Sequence, residues 1–66
     1  MDEETVEFVR KRIEQAMLYW DRMNEWAGVV PTREDVVQKA TEFVVEDTNM
    51  SWKEARQLVE KVYGGE

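Results

Sequence analysis

The chain has 66 residues, no cysteine, no histidine, and 15 acidic against 9 basic side chains, for a formal charge of −6. Disulfides and thiolate metal sites are thereby excluded, and the commonest general base and neutral metal ligand is missing. A chain this short makes one domain, residues 1–66, whose small core is marginal unless efficient helix packing or a partner supports it.

The acidic balance repels phosphate backbones unless the few cations are gathered on one side. No apolar run is long enough to span a bilayer, and no basic-then-apolar leader opens the chain. A soluble, cytoplasmic protein is expected.

Asp2, Glu3, Glu4 and Glu7 open the chain, and acidic residues suit the positive end of a helix dipole. Either Asp2 or Thr5 can serve as N-cap. From there Val6, Val9, Ile13, Ala16, Trp20, Met23 and Ala27 recur at alternating spacings of three and four residues, which predicts a long helix over about 3–27. Met17 widens this stripe on one side, and Phe8, Tyr19 and Trp26 widen it on the other. Glu7, Lys11, Glu14, Asp21 and Glu25 form the wet face, with Leu18 out of place among them.

Gly28 suits a left-handed C-cap, and Val29-Val30-Pro31 makes a short link. Thr32 is the expected N-cap of a second helix over about 33–47, with Val36, Val37, Ala40, Phe43 and Val44 on one face. The valine content lowers helix propensity, so a strand through Phe43-Val44-Val45 competes with the helix. Thr48-Asn49-Met50 reads as a turn, and Ser51 to Glu54 as a capping box, with Met50 able to staple onto Ala55.

A third helix over about 52–63 should bury Trp52, Ala55, Val59, Val62 and Tyr63, with Leu58 at the edge. Arg56 and Glu60 form an i,i+4 pair, and Gly64-Gly65 ends the helix. The fold class is all-α, a three-helix bundle with a core of Ile13, Trp20, Phe43, Trp52 and Val59.

No catalytic constellation emerges. Ser51 and Thr32 are used as caps and have no histidine beside them. No glycine-rich phosphate loop is present. Glu42, Glu46 and Asp47, or Asp2-Glu3-Glu4, have neither the spacing nor the loop glycine of a calcium site. Arg10-Lys11-Arg12 points in three directions along one helical turn, within pairing distance of Glu7 and Glu14. No enzyme activity, cofactor, metal or small-molecule substrate is therefore expected.

The aromatic flank of helix one is the feature with functional content, because aromatics and methionine are enriched at binding surfaces. A helix that touches two neighbours also needs a wide apolar arc, which accounts for the same residues without any partner. If the flank is an interface, Phe8, Arg12, Leu18, Tyr19, Arg22 and Trp26 line it. The sequence thus points to a small acidic protein–protein interaction module, either a homodimer or a regulator or inhibitor of a larger macromolecule.

The alternative is a helix-turn-helix regulator presenting Lys53, Arg56, Gln57 and Lys61 to DNA. Helix three has three cations against two carboxylates, too small an excess for a basic stripe, and the turn before it lacks glycine, so nucleic acid is the weaker expectation.

Overall fold

The computed structural model describes residues 2–65. Three helices follow in order: α1 (Glu3–Ala27), α2 (Arg33–Asp47) and α3 (Trp52–Tyr63). These are the bounds the sequence predicts, because each end carries a local chemical signal. Asp2, not Thr5, caps α1: its carboxylate accepts from the Thr5 amide at 2.8 Å. This bond holds the Asp2 carboxyl below its usual value. Gly28 closes α1 at φ 69°, where its amide donates to the Asn24 carbonyl, a conformation that costs glycine little.

The N-cap chemistry is distributed differently from the expectation. The complete capping box is at Thr32: its hydroxyl accepts from the Asp35 amide, and the Asp35 carboxylate accepts from the Thr32 amide at 2.9 Å. At Ser51 only the serine half forms. Its hydroxyl accepts from the Glu54 amide, and Glu54 Oε1 is bonded by the serine hydroxyl instead of the backbone. Phe43-Val44-Val45 is helical throughout. Packing of Val44 and Thr41 into the core overcomes their weak helix propensity.

The helices alternate in direction. Arg12 of α1 meets Asp47 at the end of α2, and Trp20 meets Asp35 near its start, so these two helices are antiparallel. Arg33, at the start of α2, lies over the Tyr63 ring at the end of α3, which makes the second pair antiparallel too. Each helix packs on both others.

The core consists of Val9, Ile13 and Ala16 from α1, Val36, Val37, Ala40 and Val44 from α2, and Ala55 and Val59 from α3. Thr41 is buried among them, its hydroxyl donating to the Val37 carbonyl at 2.7 Å. This satisfies a group that would otherwise be costly to bury.

Among the described residues no side chain larger than isoleucine is buried. Larger residues, with Val45 and Val62, form a half-buried rim: Phe8, Trp20, Phe43, Met50, Leu58 and Tyr63 pack against the core from outside. Trp20 and Phe43 therefore belong to the rim and not, as expected, to the interior. Trp52 is a larger departure, being 42% exposed. It shares a helical face with Ala55 and Val59, but it is the first residue of α3.

Candidate protein-docking face

Helix α1 has 25 residues against 15 and 12 for its neighbours. At ~1.5 Å per residue it is about 37 Å long, the others about 22 and 18 Å. The molecule measures 36 Å along its longest axis, so α1 sets its length and the shorter helices cover only part of it. The buried residues of α1 stop at Ala16. Beyond that point Trp20 and Met23 are half-buried, and Ala27, although it continues the apolar stripe, is exposed.

Trp20 is the last firm anchor. Its indole N–H donates to the Asp35 carbonyl at 3.1 Å, and its ring meets Tyr19 edge-on at 5.1 Å.

The six residues that the sequence assigns to an outer flank divide into three groups. Phe8 and Arg12 are drawn inward. Phe8 packs on the core, and the Arg12 guanidinium covers its ring at 4.7 Å. The Arg12 Nε is buried and lies 2.8 Å from an Asp47 carboxylate oxygen, an ionic contact in which the N–H does not point at that oxygen. Arg12 thus pairs across to α2, not along α1 to Glu7 or Glu14. Of its two basic neighbours, Arg10 reaches Glu7 at 3.7 Å.

Leu18, Tyr19 and Arg22 come together. With Gln15, Met23 and Phe43 they line an open groove of about 520 Å³ between α1 and α2. Leu18 is 58% exposed and Tyr19 is 36% exposed. Lys39, itself paired with Glu42 at 3.2 Å, stands 4.4 Å from the Tyr19 ring centre.

Trp26 forms the third group alone. It follows Arg22 by about one turn, on the same side of the helix, and is 86% exposed. Leu18 looks misplaced in the sequence because it is assigned to the wet face. The structure seats it on the groove's edge.

The four residues proposed to face DNA are placed less favourably for that task. The Arg56 guanidinium makes two 2.7 Å contacts with the Glu34 carboxylate and one of 3.2 Å with Glu60. The expected pair with Glu60 forms, but the contact with Glu34 has no counterpart in sequence pattern. Bonding from Arg56 holds the Glu34 carboxyl below its usual value, and Glu34 raises that of Arg56. Lys53 and Gln57 are exposed, as is Lys61.

Among the described residues no group of acidic side chains is arranged to hold a metal ion, and no helix is long and apolar enough to cross a membrane. No protein family, no characterised protein and no solved structure matches the chain.

Proposed function

We propose that the chain is a protein-binding module that docks through the outer face of α1, from Gln15 to Trp26. A single observation carries this role: the apolar stripe of α1 outlasts the core. Leu18, Tyr19 and Trp26 remain exposed beside an apolar groove. Large exposed aromatics next to a groove are the composition and geometry of interaction hot spots. The module acts by occupying its partner, as a regulator or inhibitor or as one half of a self-assembly, with no chemical step of its own. Phe8 and Arg12 contribute indirectly, by fixing α1 against α2.

A photo-crosslinking amino acid placed at Gln15, which lines the groove, and separately at Glu7 on the wet face, tests this in cells that produce the protein. A covalent protein adduct from position 15 and none from position 7 is the expected result. No adduct from position 15 would sink the docking role. DNA reading by α3 has less support, since Arg56 is engaged by two carboxylates. Absence of any anisotropy change with duplex DNA at micromolar protein and low salt would end it.

A further inference from the structure

We infer that the occupant of the α1 face is a second copy of the same chain, in an antiparallel two-fold pairing of the C-terminal halves of α1. This rests on the docking role proposed above and specifies the partner. A two-fold axis perpendicular to α1 between Met23 and Asn24 brings each height on one helix level with its mirror height on the other. Trp26 of one copy then lies level with Asp21 of the other, within the span of the groove between Gln15 and Met23. The Trp26 rings can fill two equivalent grooves, each offering Leu18, Tyr19, Met23 and Phe43.

The charges match the same axis. Arg22 and Glu25 are equidistant from it, and at ~100° per residue both fall on one side of Trp26. An antiparallel two-fold keeps each side facing its own kind, so Arg22 of one copy meets Glu25 of the other, twice over. Neither residue has an oppositely charged partner among the described residues. A parallel arrangement would instead set the two Trp26 side chains against each other and leave both grooves open.

The contacts of α2 with Arg12 and Trp20 lie on the N-terminal side of the axis, so the two copies of α2 stand toward opposite ends of the dimer. The association should be weak. Half a helix face from each copy is less than the ~800 Å² per partner of a standard interface, and two chains of charge −6 repel at long range.

The test is light scattering and sedimentation of the purified chain over a hundredfold range of concentration, with three variants. The wild type should pass from monomer to dimer across this range. Trp26→Ala should remain a monomer throughout, with its helical circular dichroism unchanged. Arg22→Glu places two glutamates opposite each other and should weaken the dimer at least about tenfold. The double exchange Arg22→Glu with Glu25→Arg should restore most of that loss.

A wild type that is monomeric at every concentration overturns the inference. So does a dimer that Arg22→Glu does not weaken, or that the double exchange fails to restore. In the crosslinking experiment above, an adduct of twice the chain mass supports the dimer. A heavier adduct overturns it and leaves the docking role intact, whereas no adduct removes both.

Discussion

The two parts of α1 share one periodic pattern and have different fates. Up to Ala16 the stripe residues Val9, Ile13 and Ala16 are buried, whereas after it the stripe continues through Trp20, Met23 and Ala27 without one fully buried side chain. The difference does not lie in helix-forming chemistry, because the helix is continuous from Glu3 to Ala27. It lies in the neighbour. Helix α2 runs antiparallel from beside Trp20 to beside Arg12, and toward Ala27 α1 is met by the link, whose Val29 carbonyl accepts from Asn24, without full burial of the stripe. Hydrophobic periodicity marks the face that can be buried, and the length of the adjoining helix decides how much of it is.

The largest effect should come from the covered part. Ile13 is the largest of the buried core side chains, so Ile13→Ala opens a cavity in the core. A loss of about 2–4 kcal/mol is expected in urea denaturation, a large share of the stability of a chain this size. A loss under about 1 kcal/mol would show that the core is no better packed than the overhang. Trp20→Ala comes next, at about 2–3 kcal/mol, below the range for a fully buried tryptophan. Trp20 is half-buried but ties α1 to α2 through its indole N–H.

The ends of the helices were legible in the sequence because their causes are local. Gly28, Thr32, Ser51 and Gly64 each act within a few residues, and each stands where a helix starts or stops. The core was legible only as a set of faces. Periodicity assigns Trp52 and Val59 to one face of α3, yet it carries no information that Trp52, at the first position of the helix, stays exposed while Val59 is buried. It also does not reveal that the buried core is filled by Val, Ala, Thr and one Ile, with Trp20 and Phe43 left at the rim.

Of the proposed docking face, Leu18, Tyr19, Arg22 and Trp26 could be found from composition and angle. Phe43, the groove's contribution from α2, could not, because its position there depends on tertiary packing. The clamp of Arg56 on Glu34 joins residues 22 apart in sequence, beyond the reach of any helical pairing rule.

The junction between α1 and α2 sets the angle at which the overhang leaves the bundle. Gly28→Ala has room for a methyl group, with no atom within 4 Å, but must hold φ 69°. That conformation costs an L-residue about 1 kcal/mol. Thr32→Ala removes half of the capping box and should cost about 1 kcal/mol as well. Equal losses in the two variants would mean that the linker's two sides hold α2 to a similar degree. A neutral Thr32→Ala would assign that hold to the core alone.

A smaller effect follows from pH. The Glu34 carboxyl is held below its usual value by Arg56, so its contribution is fully present above the unfolded carboxylate range. It is lost as pH falls from the ordinary glutamate range through the lowered folded value. The wild type should therefore lose more stability on acidification than Glu34→Gln, in thermal melts between neutral and acidic pH. Identical pH profiles would mean that solvent screens the clamp entirely.

The smallest expected effect on folding is also the most decisive for the contrast between the two parts of α1. Trp26→Ala removes the largest side-chain type in the chain from a position 86% exposed to solvent. Surface substitutions away from special features usually change stability by less than ~0.5 kcal/mol, so in dilute protein this variant should unfold at nearly the wild-type urea concentration. Trp20, six residues earlier on the same helix, should cost several times more when it is replaced. If the two variants are equally destabilised, Trp26 is packed within its own chain and the overhang is not free. If Trp26→Ala is neutral when dilute and destabilising only in concentrated protein, then its burial comes from a second molecule by mass action.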